Sequence, residues 1–537
     1  MRNVTVFSLM IFFTMFSAIQ AEVNIIPTPK TVKINAGEFV VNDETILSYC
    51  GIGKQTAFWL SERFQNPTGF KLPIEQFINA PKKNSISFVL DCSGSVTGDE
   101  GYSLSVTDSA VVIKAKTEAG LFYGCQSLLQ LMPAEICSDK KADIKWTVPC
   151  VTIIDEPRYK WRSFMLDSGR QYQSPEFIKR YLDQMAVMKM NRFHWHLTEG
   201  QGWRIEIKKY PKLTSVGSKV ANGKEQQGFY THKQIKDIVA YAKKLHIEIV
   251  PEIDIPGHSE AALIAYPEYT CFGKPPTSVM AFSPVLFCAG KEQTYKFLED
   301  VLTEVCQLFP SEYIHLGGDE APKANWKKCP DCQKMIKTHS LKNEHELQIY
   351  FTNRFADFLA TKNRKVICWG DVVRYPGPPM RKNVVVHWWN HIAGKDKALK
   401  EAIKRGHEVI CNTNYYTYLN FPVTPWTQYG LGRTFDLKTC YEKNPSDLKL
   451  DFSQKHSNII GMGTCLWTDW FVQEYMVDRR VFPRVYALAE QMWYCGNRVP
   501  FEKFYAKLKT HYPRFKAAGI DYGPAMKDEM PKNFKWD

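Results

Sequence analysis

The sequence predicts an α/β fold, a (β/α)₈ TIM-type barrel preceded by a smaller α+β accessory domain. Three observations predict it. The chain has 537 residues, too many for one ordinary domain. From about residue 156 onward, strand-like apolar runs alternate with amphipathic helical segments, and eight such runs can be counted. The C-terminal ends of those runs carry a succession of carboxylates, histidines and tryptophans, and that is the face on which barrels build their sites.

Residues 1–21 read as an export signal. Arg2 supplies the charged start, Val6 to Phe16 the apolar stretch and Ala18-Ile19-Gln20-Ala21 the small-residue cleavage region. The expected location is therefore periplasmic or secreted. The apolar stretch is too short to span a bilayer, and no later segment is apolar enough to do so. No cysteine stands at the cleavage point to take a lipid, and the only glycosylation sequon, at Asn3, lies inside the signal.

Residues 22–155 are expected to form the accessory domain. Ser85 to Leu90 and Tyr102 to Val106 alternate apolar and polar, as half-buried strands do, and Ala110 to Ala115 adds a third strand. Ala119 to Met132 has a helical apolar face of Leu121, Leu128, Leu129 and Leu131, and Pro133 ends it. Nothing in this part carries chemistry.

Residues 156–496 are expected to form the barrel, with strands over 161–167, 192–198, 247–255, 312–317, 365–369, 384–389, 407–413 and 459–467. Helices are read over 175–189, 232–245, 291–308, 343–362 and 395–405. Ser174-Pro175-Glu176 is an N-cap followed by proline at the first helical position. Residues 497–537 form a closing segment whose amphipathic piece, Phe501 to Phe515, is expected to pack on the barrel.

Apolar content of 44% with 23% charged residues marks a globular protein. The net charge of +13 is spread without a dense basic run, which argues against nucleic acid as partner. Fourteen Trp and 26 Tyr suit the stacking of flat ligands such as sugar rings. The 15 Cys have no disulfide-framework spacing. Cys271 and Cys288 bracket one loop and are candidates to pair. Cys329-Pro330-Asp331-Cys332 has half the spacing of a zinc ribbon, but no second Cys-x-x-Cys exists, so a loop clip or idle thiols is the favoured reading.

The most informative stretch is Tyr313-Ile314-His315-Leu316-Gly317-Gly318-Asp319-Glu320, an apolar strand that runs through two glycines onto two adjacent carboxylates. The glycines remove side chains where a ligand or another backbone must come close. Adjacent carboxylates in one pocket have their pKa values pushed apart, so that one can be held as acid and the other as anion.

His315-Leu316-Gly317-Gly318-Asp319-Glu320, with Asp254-Ile255-Pro256-Gly257-His258-Ser259, Trp195-His196-Leu197-Thr198 and Gln201-Gly202-Trp203-Arg204, resembles glycoside hydrolase family 20, the β-N-acetylhexosaminidases. An opening Ile26-Pro27-Thr28-Pro29 and a closing Gly519-Ile520-Asp521-Tyr522 extend the resemblance over almost all the mature chain. It implies a retaining exo-hydrolase without an enzymic nucleophile, one that needs no cofactor and no metal. Glu320 would be the general acid and then base, and Asp319, ionised, would hold the acetamido N–H. Arg170 would bind the sugar 3- and 4-hydroxyls. Trp369, Trp389 and Trp467 would wall the acetamido group and ring, with Trp388 an alternative to Trp389. Tyr418 would hold the acetamido oxygen, and His258 would support the acid.

Three positions depart from the commoner pattern. Asn420 and Asp469 bear on how the 4- and 6-oxygens are held, and Glu199-Gly200 bears on the carboxylate partner of His258. The implied partner is a glycan with a terminal β-N-acetylhexosamine. Competing readings are a metal-dependent hydrolase using His194, His196 and His258, a non-catalytic sugar binder, and a relative specialised for a disaccharide or a 6-substituted sugar.

Overall fold

The computed structural model describes residues 23–536 except 78–81, 93, 95, 97, 222, 224–226, 280–281, 391–396, 426–433 and 444–457. The export signal and Asn3 lie outside the described residues.

The first domain is built on one seven-stranded sheet. Its strands are β1 (Thr31–Val41), β2 (Ile46–Cys50), β3 (Ile74–Gln76), β4 (Ser85–Leu90), β5 (Tyr102–Val106), β6 (Ala110–Ala115) and β7 (Trp146–Asp155), in the order β1-β7-β5-β6-β4-β2-β3. β4, β5 and β6 span the residues read as strands from the sequence; burial alternates along β5 and β6, whereas the alternation expected of β4 fails because its first four residues are all buried. The helix Glu118–Leu131 packs on this sheet, its N-terminus capped by the Thr117 side chain accepting from the Gly120 amide. β1, β2, β3, β7 and the helix Lys54–Thr68 are additions to the sequence reading. β1 is mostly exposed and so has no apolar period to detect.

The second domain is a closed parallel barrel of β8 (Trp161–Asp167), β9 (Arg192–His196), β10 (Glu248–Glu252), β11 (Tyr313–His315), β12 (Lys365–Trp369), β13 (Val384–Trp388), β14 (Val409–Cys411) and β15 (Ile459–Leu466). Each strand falls within a run expected from sequence, and several are shorter because hydrogen bonding stops where the chain turns outward. Pairing of β15 with β8, from Gly461 opposite Trp161 to Leu466 opposite Leu166, closes the ring. The barrel is plugged at one level by Trp161, Val250, Tyr313, Ile367, Val385 and Ile410. Two residues further along the same strands stand Glu252, His315, Trp369 and His387. Because side chains alternate, these also point inward, one layer nearer the C-terminal rim.

The domains are pinned together by buried polar contacts. Asp155 at the end of β7 accepts from Tyr102 Oη at 2.7 Å, Lys189 Nζ at 2.9 Å and Trp493 Nε1 at 3.0 Å. Arg162 of β8 forks onto Glu100 with two 2.8 Å bonds. The closing segment is two helices, Phe501–Lys509 and Tyr512–Ala517, rather than one, the second opened by Pro513. It reaches the accessory domain as well as the barrel. Lys507 Nζ donates to the Ile25 carbonyl at 3.0 Å, and Arg514 Nη1 donates to the Leu129 carbonyl at 3.1 Å.

Candidate active site

The site is built on a polar layer inside the barrel. Register places Glu252 of β10 opposite His196 of β9 and His315 of β11. The Glu252 carboxylate meets His194 Nε2 at 2.7 Å, His196 Nδ1 at 2.6 Å and His315 Nδ1 at 3.2 Å, and accepts from Trp369 Nε1 at 2.8 Å. Burial alone would raise this carboxyl, but the imidazoles outweigh burial and hold it well below the usual range. Burial pushes His194 down to about 4, whereas Glu252 overcomes burial at His196 and raises it. These contacts account for the two histidines of β9. They do not gather with His258 around a common point, as a metal site on His194, His196 and His258 requires.

Above this layer lies a cluster of the opposite composition. His258 Nδ1 meets Glu199 Oε1 at 2.6 Å, while its Nε2 faces Asp319 Oδ2 at 3.7 Å and Glu320 Oε2 at 3.6 Å. Glu199 is therefore the carboxylate partner of His258 despite its departure from the commoner pattern. Burial would raise Glu199, but Arg170 and His258 hold it at about 2. Burial would lower His258, but Glu199 and Asp319 raise it well above its ordinary value.

Asp254, quoted in a motif but given no role from the sequence, stands in the same cluster. Its Oδ1 accepts from the Gly318 amide at 2.9 Å, and its backbone N–H donates to Thr198 Oγ1 at 2.9 Å. Gly317 has φ 62°, and a Cβ there would lie 1.8 Å from Asp254 Oδ1. Gly318 has φ 95°, and a Cβ there would lie 2.7 Å from Val372 Cγ2. Gly317 is thus required for the Asp254 carboxylate to approach the chain after β11, and Gly318 for that chain to pass Val372. Glu320 itself has φ 44° and His258 φ 50°, left-handed conformations that cost energy in residues with a Cβ.

Burial, and then the neighbouring Asp254, raise the Asp319 carboxyl well above its ordinary value. Asp254 is raised in turn, by burial first. In the ligand-free state like charges crowd one buried space, and this opposes the ionisation expected of Asp319. Asp319 Oδ1 is buried with no hydrogen-bond partner among the described residues. A donor placed there would favour its anion.

Aromatic rings line the approach. Trp369 points inward from β12, is 1% exposed and stacks on His387 at 4.4 Å between centroids. It touches Trp467 at 5.9 Å. Trp467 continues to Tyr418 at 6.0 Å, and Tyr418 to Trp389 at 6.2 Å. Trp388 is fully buried at the end of β13, whereas Trp389 is only half-buried and donates its Nε1–H to Asp371 Oδ2 at 2.7 Å. Trp389 is the one that joins the ring chain. Alternation could not choose between them because Trp389 lies just beyond the strand.

Arg170 follows β8. Its Nη1 donates to Asp167 Oδ2 at 2.9 Å, its Nη2 meets Glu199 Oε1 at 2.6 Å, and its guanidinium carbon lies 5.1 Å from the centre of the Trp467 ring. Asn420 Nδ2 donates to Asp469 Oδ1 at 3.3 Å. Burial raises Asp469 to about 6, although Arg170 opposes the shift. A cleft of about 590 Å³ opens beside Arg170 and Asp469, rimmed by Val279, Trp470 and Phe471.

The cysteines depart from expectation. All are free, so Cys271 and Cys288 do not pair. They meet Cys329 and Cys332 instead, and the four sulfurs lie within 4.8 Å of one another. The reading of Cys329 and Cys332 as a clip or idle thiols did not include these two partners. Sequence spacing could not show this, because Cys271 and Cys288 come from an unrelated loop.

The comparisons with known proteins agree with this geometry. The catalytic-domain profile of glycosyl hydrolase family 20 matches residues 159–495, and the profile of that family's domain 2 matches residues 22–156. A β-hexosaminidase of Porphyromonas gingivalis is 37% identical over 93% of this chain, which spans 64% of that relative's length. The crystal structure of β-N-acetylhexosaminidase from Bacteroides fragilis superposes with a TM-score of 0.86 at 46% identity, covering 96% of this chain and 99% of that one. A mutant Streptomyces plicatus β-hexosaminidase in complex with its product GlcNAc superposes with a TM-score of 0.82 at 30% identity, covering 94% and 97%. The chain belongs to glycosyl hydrolase family 20.

Proposed function

We propose that this protein is an exo-acting, retaining β-N-acetylhexosaminidase that removes terminal β-linked GlcNAc or GalNAc from glycans. The observation that carries the reading is the Asp319–Glu320 pair beside His258, with a buried Asp319 oxygen that has no partner among the described residues. That oxygen is suited to accept the N–H of a 2-acetamido group, and such a donor favours the Asp319 anion.

In the first step the acetamido oxygen bonds to the anomeric carbon as the glycosidic C–O bond breaks, and Glu320 gives its proton to the departing oxygen. The resulting oxazolinium carries positive charge that Asp319 offsets. Trp369, Trp389 and Trp467 exclude water from the acetamido group, and the Tyr418 hydroxyl aligns its oxygen. Glu320, now ionised, takes a proton from water as that water attacks the anomeric carbon and reopens the ring. Two inversions leave the configuration retained. Arg170 and Asp469, with Asn420, hold the hydroxyls at the far side of the sugar. The chemistry described uses no cofactor.

The test is release of nitrophenol from β-GlcNAc and β-GalNAc nitrophenyl glycosides, with and without a thiazoline mimic of the oxazoline. Turnover blocked competitively by the thiazoline is expected. Turnover indifferent to it would remove the acetamido group as nucleophile. The cleft beside Arg170 and Asp469 favours a second reading, a sugar substituted at its 4- or 6-oxygen. Faster turnover of a 6-sulfated β-GlcNAc glycoside than of the unsubstituted one would select it. The composition of residues 1–21 supports export to the periplasm or medium.

A further inference from the structure

We propose that Cys271, Cys288, Cys329 and Cys332 form a structural tetrathiolate site for one zinc ion, which clamps together the two loops that carry His258 and the Asp319–Glu320 pair. The sulfur geometry carries the proposal. Cys288 Sγ lies 3.6 Å from Cys332 Sγ and 3.7 Å from Cys329 Sγ, and Cys271 Sγ lies 3.9 Å from Cys332 Sγ. Four sulfurs about 2.3 Å from a central zinc stand about 3.8 Å apart along each tetrahedral edge. A disulfide would bring one pair to about 2 Å and leave the others further off. Here Cys288 is equally close to two partners, and Cys332 nearly so, which suits a common centre rather than a choice of pairs.

The surroundings are those of a built site. Cys288, Cys329 and Cys332 are fully buried and Cys271 is 9% exposed. Cys329 precedes the helix Pro330–Thr338 and Cys332 lies in its first turn, where the helix dipole favours thiolates. The Gly290 amide donates to the Cys288 sulfur. A Cβ on Gly290 would lie 2.3 Å from the Cys332 nitrogen, so the two loops touch backbone to backbone beside the sulfurs. Each loop is tied into the site. The Phe287 amide donates to the Pro256 carbonyl at 3.0 Å, two residues before His258. Trp326 Nε1, six residues after Glu320, donates to the Phe287 carbonyl at 3.0 Å. Tetrahedral all-sulfur coordination suits zinc, and such closed sites fix structure rather than bind substrate.

Brief exposure to EDTA does not test this, because a buried tetrathiolate gives up its metal slowly. The test is elemental analysis of the full chain, purified without metal-affinity resin or chelator, together with thiol titration before and after an organomercurial. One zinc per chain is expected, released in step with four thiols that react only with the mercurial, beyond the exposed Cys92 and Cys495 already titrated before it. Metal-free protein, two disulfides among these four cysteines by mass spectrometry, or iron in place of zinc would each overturn the assignment. Cobalt exchanged into the site should show the thiolate charge-transfer band and intense visible bands of a tetrahedral complex. Cys332→Ser should lose the metal. Cys271→His, which keeps a fourth ligand, should retain it, and should weaken the cobalt charge-transfer band.

Discussion

Two polar clusters are stacked in this barrel, and they are inverses of one another. In the lower, one carboxylate, Glu252, is shared among His194, His196 and His315. In the upper, one imidazole, His258, faces Glu199, Asp319 and Glu320, with Asp254 beside them. The lower carboxylate has a partner on each side and is held well below its ordinary value. The upper cluster has more negative charge than its one imidazole can offset, so Asp254 and Asp319 are both raised. Similar residue types at similar burial thus yield a framework below whose one carboxylate is fully partnered and a poised site above. The difference lies in stoichiometry, and it sets what each cluster should do when broken.

The largest effect is expected at Glu320. Glu320→Gln keeps the shape and removes the transferable proton, so kcat on a β-GlcNAc glycoside should fall by about 10²- to 10⁴-fold. The melting temperature should not move. A glycoside whose leaving group needs no protonation should recover part of the first step.

Asp319→Asn should cost about 10²- to 10³-fold in kcat, the loss that follows removal of one fixed group opposite a developing charge. Its stability should rise, because an acid raised above its unfolded value costs folding free energy whenever it is ionised. A drop in melting temperature would place Asp319 with the satisfied cluster instead.

Glu252→Gln is the converse. It leaves buried imidazoles without their shared anion and should lower stability by about 3 kcal/mol, read as a shift in the denaturant midpoint. Any change in kcat should follow from the displacement of Trp369. A variant as stable as the parent would contradict the framework role.

The smallest effect is expected at Asp469, raised to about 6. Between the ordinary carboxyl value of about 3.9 and this value the folded chain binds more protons than the unfolded chain, so this group makes stability fall as pH rises through that window. As a hydroxyl acceptor it works best ionised. KM should therefore rise as pH falls below about 6, by up to about tenfold. Asp469→Asn should flatten that limb and raise KM at neutral pH.

The two clusters were not equally legible in the sequence. Gly317-Gly318-Asp319-Glu320 announces itself because glycines and paired acids have few other reasons to end a strand. Glu252 drew no notice. It looks like any charged residue near a strand end until register sets it opposite His196 and His315. Asp254 was visible as part of a motif, but its effect on Asp319 depends on a close approach that only the Gly317 backbone permits. Trp389 was separable from Trp388 only once β13 was seen to end between them. In the accessory domain, β5 could be read from alternation, whereas the exposed β1 could not.

The sequence by itself determined the barrel, because eight apolar runs separated by amphipathic helices leave few ways to bury every face. It also determined the acid pair, since local spacing places both carboxylates at one strand end. Tertiary structure alone decided which charges are satisfied and which sulfurs meet. Cys271 and Cys332 are 61 positions apart in the chain, yet their sulfurs lie 3.9 Å apart. Electrostatic energy depends on distance and burial in space, and those follow from how loops pack over a closed barrel rather than from the spacing of residues along the chain.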